Sequence, residues 1–349
     1  MARHTLAVDT STGTVDWSGS MREAIGQALS PDVERSANPR VGCVIVDATG
    51  AVVGRGHHRG AGTPHAEVTA LADAGSRARG ATAVVTLEPC RHTGRTGPCT
   101  QALMDAGIAR VVFACADPTS AASGGGAVLR AAGVDVIAGV GEEEAAHANR
   151  AWVHVLTHGR PLVTVKCAMS LDGRVADAGG GPTSISGPAS RAHAQGMRSL
   201  VDAIVVGTGT ALVDDPHLTA RDADGRLRQR QPLRVVVGRR RLPATSRVLD
   251  DAAETLLVAD ADPDALMRAL LERDVQHALV EGGPTLSAAL FAAGLVDEVQ
   301  WYIAPVLLGA GPVALPPLPA GRSVAVRRVV MMGEDVVVEG GIRDVHGHS

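Results

Sequence analysis

From Met21 onward the chain alternates short apolar runs with helical patterns, and the series breaks once, at His158-Gly159-Arg160-Pro161, before starting afresh. Such alternation is the mark of α/β layers, in which helices cover a largely buried sheet. In the first half VGCVIVD (Val41 to Asp47), the stretch from Ala51 to Arg55, ATAVVTL (Ala81 to Leu87), RVVFACA and VDVIAGV read as strands. Met21 to Ser30, HAEVTALADAG from His65, Pro98 to Gly107 and Glu142 to Thr157 read as helices. In the second half strands are expected at Leu162 to Cys167, Ala203 to Val206, Leu233 to Val237, Thr255 to Ala259, Ala278 to Glu281 and Glu298 to Ala304, and in the terminal runs SVAVRRVVMM and DVVVEGG. Helices are expected near Pro188 to Leu200, Pro263 to Arg273 and Pro284 to Ala293. The expected division is an extension over 1–20, one domain over 21–158 and a second over 159–349. A length of 349 residues suits two domains, because single cores stop growing beyond about 250 to 300 residues.

The sharpest chemical signal lies in the first half. PHAE (Pro64 to Glu67) is followed by LEPC (Leu87 to Cys90) and GPC (Gly97 to Cys99). His65, Cys90 and Cys99 offer one imidazole and two thiolates, soft donors suited to zinc. Three protein ligands leave a fourth position open, the arrangement of a catalytic site and not of a structural one. His65 and Cys99 each follow a proline able to begin a helix, so both are expected in first helical turns. Glu67, two residues beyond His65, does not share its helix face and is expected to move protons instead of binding the metal. An H-x-E motif paired with P-C and a second Cys is the pattern of zinc nucleobase deaminases, in which the second pair is C-x-x-C. Here eight residues separate Cys90 from Cys99. Cys43, Cys115 and Cys167 fall in apolar strand patterns and are read as core.

Composition excludes other classes. Aromatic residues are 2% and the net charge is −4, against a nucleic-acid enzyme with stacking platforms. No apolar stretch approaches the 18 residues of a membrane span, and the first twenty residues make a poor export signal. A cytoplasmic enzyme with free cysteines is expected.

NPRVGCVIV (Asn38 to Val46), HHRGAGTPHAEVTAL (His57 to Leu71) and VTLEPCRHTGRTGPC (Val85 to Cys99) resemble the deaminase half of the bifunctional riboflavin-biosynthesis enzymes, the diaminohydroxyphosphoribosylaminopyrimidine deaminase/5-amino-6-(5-phosphoribosylamino)uracil reductases. KCAMSLDGRVA (Lys166 to Ala176), GTGTALVDDPHLTAR (Gly207 to Arg221), VEGGPTL (Val280 to Leu286) and GLVDEVQWYIAPVLLG (Gly294 to Gly309) resemble the reductase half. The resemblance implies a cytidine-deaminase-like zinc domain followed by a dihydrofolate-reductase-like domain. Glu67 would be the catalytic acid/base, with zinc on His65, Cys90 and Cys99, and Asn38, His58, His92 and Arg95 on the pyrimidine or its phosphate. In the second half Lys166, Asp172, Arg198, Leu218, Arg221 and Glu281 would hold the ribose phosphate substrate. Ala168, Ser184, Thr210, Asp214 and the turn Gly283, Pro284, Thr285, Leu286, Ser287, Ala288, Ala289 would hold NADPH, its pyrophosphate on a Gly-rich helix start.

The expected partners are small pyrimidine ribose phosphates, with no nucleic acid and no membrane. A homo-oligomer is expected, with the GLVDEVQWYIAP region able to pair between subunits. The chain departs from the family at Thr63, where an acidic residue is frequent, and at Pro182, Ser184, Gly238 and Arg239 in the reductase half. Those departures motivate a rival reading, a deaminase whose second domain is inactive or regulatory. Arg239 to Arg241 stand either as a seat for the 2′-phosphate of NADPH or as a solvated turn.

Overall fold

The computed structural model describes residues 16–30, 32–92, 97–179, 184–259 and 262–344. The chain divides into two compact units, the boundary falling between Val153 and His154.

The first unit is built on a five-stranded sheet in the order β2-β1-β3-β4-β5. Its strands are β1 (Gly42–Val46), β2 (Val52–His57), β3 (Thr82–Leu87), β4 (Arg110–Cys115) and β5 (Asp135–Ala138). Its helices are α1 (Ser18–Ala28), α2 (Ala66–Ala74), α3 (Cys99–Asp105) and α4 (Gly125–Ala131), and α5 (Glu142–His158) runs across the boundary. β1 pairs antiparallel with β2 and β3, whereas β3, β4 and β5 run parallel. Every residue of β1 and β3 is buried, so both sheet faces are covered. Alternate residues serve opposite cores: Cys43, Ile45, Ala83 and Val85 pack with Ala66, Ala70, Leu103 and Leu129, while Val44, Val46 and Val84 pack with Met21, Ala24 and Ile25 of α1.

α1 starts three residues earlier than the apolar pattern suggests. The Asp16 carboxylate accepts a hydrogen bond from the Ser18 amide at 2.9 Å, which satisfies one orphan donor at the helix start. Cys43 is core as expected, but Cys115 and Cys167 are only half-buried.

The second unit holds an eight-stranded sheet in the order β12-β13-β11-β6-β10-β7-β8-β9. Its strands are β6 (Leu162–Ser170), β7 (Ala203–Gly207), β8 (Leu233–Val237), β9 (Thr255–Val258), β10 (His277–Val280), β11 (Glu298–Ala304), β12 (Arg322–Met332) and β13 (Asp335–Asp344). α6 (Pro188–Met197), α7 (Thr208–Asp214), α8 (Pro263–Leu271) and α9 (Pro284–Ala292) connect them. From β11 to β9 all neighbours are parallel; β13 joins β11 antiparallel and β12 forms a hairpin with β13. Val163, Val165, Val205 and Val235 face α8 and α9, and Ile204, Val206, Val236 and Leu279 fill the other face. β11 lies between β6 and β13, so the GLVDEVQWYIAP strand spends its backbone pairing on both sides within its own chain. The sheet edges among the described residues are β12 and β9. No helix among the described residues is long and apolar enough to cross a membrane.

Candidate functional site

In the first unit three chain segments converge. His65 caps the start of α2 with extended backbone (ψ 160°), Cys90 follows the end of β3, and Cys99 is the first residue of α3. The prolines lie earlier than expected, Pro64 two positions before the first helical residue and Pro98 one, at the cap, so Cys99 enters the first helical turn but His65 does not. The His65 Nδ1 atom is 3.1 Å from Cys99 Sγ and 3.6 Å from Cys90 Sγ, and the ligand atoms all lie within 4.8 Å of one another. One ring nitrogen and two sulfurs at this spacing fit a tetrahedral zinc ion with one position left over. The hydrogen bond from the Cys99 thiol, then His65, pull the Cys90 thiol down against its burial, which favours the thiolate form that binds a metal.

The loop carrying Cys90 is fixed from behind. Glu88 Oε1 accepts from the Gly126 amide at 2.9 Å, and a side chain at Gly125 would come within 1.8 Å of the Pro89 carbonyl. Glu67 is 3% exposed. Burial pushes its carboxyl up from the ordinary range, opposed by its backbone hydrogen bond and by His65, which favours a group able to hold and release a proton.

Asn38 and His58 join the same neighbourhood. The His58 Nδ1 faces the Pro64 carbonyl at 3.1 Å, so that nitrogen carries the proton and Nε2 accepts from the Asn38 amide at 2.9 Å. The His58 ring stands edge-on to His65 with centroids 5.4 Å apart. His58 is 5% exposed and both its ring nitrogens are engaged, so it orients Asn38 and is poorly placed to bind a ligand directly. His92 is exposed, and Arg95 lies outside the described residues.

In the second unit a cavity of ≈ 850 Å³ opens at the carboxyl ends of β7, β8 and β10, where open parallel sheets usually bind ligands. Of the residues expected on substrate or cofactor, Lys166, Ala168, Ser184, Arg198, Thr210, Asp214, Glu281, Gly283, Pro284, Thr285, Leu286, Ser287 and Ala289 line it. Asp172, Leu218, Arg221 and Ala288 do not. Leu218 has its side chain in the core against α7, with φ 49°, so only its backbone is free to face a ligand. Asp172 accepts from Ser170 Oγ, Leu308 N and Gly309 N at 2.5, 3.1 and 2.7 Å, bonds that draw its carboxyl down to about 2 and hold the 308–309 turn. Arg221 is tied to Thr219 Oγ1 and the Gly225 carbonyl. Pro182 lies outside the described residues.

Arg198 forks onto Glu281, Nε to Oε1 at 2.7 Å and Nη2 to Oε2 at 2.8 Å. Burial pushes the Glu281 carboxyl up, but Arg198 and then Lys166 outweigh it, so Glu281 stays ionised. The Lys166 ammonium stands 5.5 Å from the Tyr302 ring centroid, within cation–π range. Tyr302, Arg191 and Gln195, to which the sequence reading attaches no role, also line the cavity, as does Cys167, which the strand pattern assigns to the core. For Tyr302 a signal existed: it is the chain's one tyrosine, two ladder positions from Gln300, which pairs with Lys166. The cavity suits a dinucleotide by its volume and by the glycines along its rim, Gly207, Gly209, Gly238, Gly282 and Gly283. A side chain at Gly282 would meet Leu286 at 2.8 Å, and the Gly283 amide bonds Thr210 Oγ1 at 3.0 Å.

Two family models match: the cytidine and deoxycytidylate deaminase zinc-binding region over residues 18–115 and the RibD C-terminal domain over 161–338. The chain is 48% identical over 299 residues to the riboflavin biosynthesis protein RibD of Mycobacterium tuberculosis, covering 84% of this chain and 87% of that one. It is 40% identical over 321 residues to RibD of Escherichia coli, covering 82% and 87%. The solved structure of Acinetobacter baumannii RibD superposes with a TM-score of 0.80 at 34% identity over 94% of this chain and 99% of that one. A deaminase–reductase from Thermotoga maritima gives a TM-score of 0.82 at 31% identity over 93% and 98%. With both halves matched in order and nearly end to end, this chain belongs to the RibD family of riboflavin biosynthesis proteins, a zinc-binding deaminase domain followed by an NADPH-dependent reductase domain.

Proposed function

We propose that the chain converts 2,5-diamino-6-ribosylamino-4(3H)-pyrimidinone 5′-phosphate to the aminouracil in its first domain (21–158) and reduces the ribosyl group to ribityl in its second (159–349). The observation that carries this is the pairing of a one-imidazole, two-sulfur cluster beside buried Glu67 with a separate glycine-lined cavity holding Lys166, Arg198 and Glu281.

When bound on His65, Cys90 and Cys99, zinc supplies a Lewis acid that makes a water nucleophile available near neutral pH. Glu67 takes the proton from the attacking water and passes it to the departing amine, and its burial suits both halves of that transfer. Asn38, its amide oriented by His58, presents polar atoms to the pyrimidine edge; His92 and Arg95 take the phosphate end.

In the second domain NADPH supplies the reducing equivalents. Lys166 lies against Tyr302 and near Glu281, placed to stabilise charge at the opening ribosyl ring, and Arg198 is held ready for the substrate by Glu281. Asp172, Leu218 and Arg221 act by shaping the neighbouring turns and backbone. Thr210, Asp214 and the Gly283 to Ala289 turn, with Ala168 and Ser184, form the cofactor side. A scaffold-only second domain finds no support in a cavity that keeps these groups assembled. A cytoplasmic location and a homo-oligomer, paired through the β12 edge, complete the proposal; the free cysteines and the exposed Val326 and Val329 of β12 support them.

The test is product identification by mass after incubation with the diaminopyrimidinone phosphate, with and without NADPH. The deaminated product should accumulate without NADPH, and the ribityl product should appear with it. Glu67→Gln should lower ammonia release about 10²- to 10⁴-fold. Normal ammonia release by that variant would refute the proton-transfer role.

A further inference from the structure

We propose that Arg240 reads the 2′-phosphate of the cofactor and so sets the preference of the reductase domain for NADPH over NADH, an inference resting on the NADPH-dependent reading of that domain. Four cationic side chains line the cavity: Lys166, Arg191, Arg198 and Arg240. Three are already committed. Arg198 is forked onto Glu281, Lys166 lies against Tyr302 within the field of Glu281, and Arg191 bonds Ser184 Oγ at 3.0 Å and the Ser186 carbonyl.

Arg240 differs. Its one hydrogen bond among the described residues is long, Nε to Thr208 Oγ1 at 3.4 Å, and no carboxylate pairs with it there. Asp214 lines the same cavity, but burial pushes its carboxyl up and it forms no ion pair with Arg240. Arg239 and Arg241, its neighbours in the same basic turn, do not line the cavity. The turn leaves β8 at its carboxyl end, where Gly238 adopts φ 128°. A side chain at 238 would come within 2.7 Å of Thr208 Oγ1, and one at 209 within 2.8 Å of Arg240 Nη2. Position 209 is thus kept bare beside the guanidinium and position 238 beside its Thr208 partner, and the Nη atoms of the fork have no hydrogen bond among the described residues. A phosphate monoester dianion matches that fork through parallel charge-assisted bonds, and a ribose hydroxyl does not. NADPH and NADH differ by that one group.

The experiment is equilibrium titration of NADPH and of NADH, followed by nicotinamide fluorescence without turnover, into the wild-type protein, Arg240→Ala and Arg239→Ala. Loss of charge-assisted bonds to one phosphate should raise the NADPH Kd of Arg240→Ala about 10- to 100-fold. Its NADH Kd should stay within about threefold, and Arg239→Ala should keep the wild-type ratio, as expected for a solvated side chain. If Arg240→Ala keeps the wild-type ratio of the two constants, or weakens substrate binding instead, the proposal is overturned. Should Arg240→Ala bind neither coenzyme, Arg240→Gln decides, because it keeps the stem and a polar head but no charge: it must hold NADH and lose the preference. Failure of the wild-type protein to bind NADPH at all would instead overturn the reading of the domain.

Discussion

Glu281 sits ionised in the reductase cavity because Arg198 grips both its oxygens, and a carboxylate without that grip has no place in such a setting. Arg198→Ala should therefore destabilise the second unit by about 3–5 kcal/mol, the usual penalty for leaving one partner of a buried pair behind. Arg198→Met combined with Glu281→Leu should recover much of that stability while abolishing reduction. Denaturant unfolding of the three proteins checks both statements, and a single variant as stable as the wild type would contradict the first. Residues of this kind were only partly legible in the sequence. The motif placed Arg198 and Glu281 at a ligand, but their partnership spans 83 positions and no local pattern encodes it. Leu218 and Asp172 show the opposite limit. A motif marks a position, whereas the side chain at that position can face the core or brace a turn while its backbone does the work. The zinc cluster was legible because its chemistry resides in residue types, and an imidazole with two thiols admits few uses.

The elements themselves followed closely from periodicity, since buried strands in parallel sheets read as continuous apolar runs. What periodicity does not reveal is how closely elements approach. β2 packs so tightly on α2 that a side chain at Gly56 would fall 2.4 Å from both the Ala66 carbonyl and the Ala70 amide, and one at Gly54 2.3 Å from the Ala70 carbonyl. These are backbone atoms of the helix that carries His65 at its cap and Glu67 in its first turn. Gly56→Ala must push that helix outward. The expected cost is about 1–3 kcal/mol from overpacking, together with weakened zinc retention because His65 moves relative to Cys90 and Cys99. Gly26→Ala, in α1 where an added methyl meets nothing within 4 Å, should leave zinc retention unchanged and raise stability by about 0.5–1 kcal/mol through helix propensity. Zinc content after dialysis and the thermal midpoint measure the two effects. A Gly56→Ala protein that keeps full zinc would show that α2 is not held in register by β2.

Taken as a whole, the molecule closes separate cores in its two units: the residues that cover the five-stranded sheet and those that cover the eight-stranded sheet belong to different clusters. The compact units part within α5, between Val153 and His154, ahead of the break at His158 to Pro161, because a continuous helix hides a change of core from any local pattern. Each unit also owns a different ligand, so ligand linkage should address them one at a time. A ligand that binds only the folded form stabilises by RT ln(1 + [L]/Kd), about 2.7 kcal/mol at a hundredfold excess over Kd. For domains of this size each kcal/mol moves the midpoint by about 2–4 °C. NADPH at that excess should raise one thermal transition by about 5–10 °C and leave the other in place. A zinc chelator should lower only the other, since its three ligands come from the ends of α2, β3 and α3 and hold those ends together. Differential scanning calorimetry with each ligand alone, then both, reads the assignment directly. If chelation and NADPH shift the same transition, the two units unfold as one cooperative body and the expectation of separate ligand linkage fails.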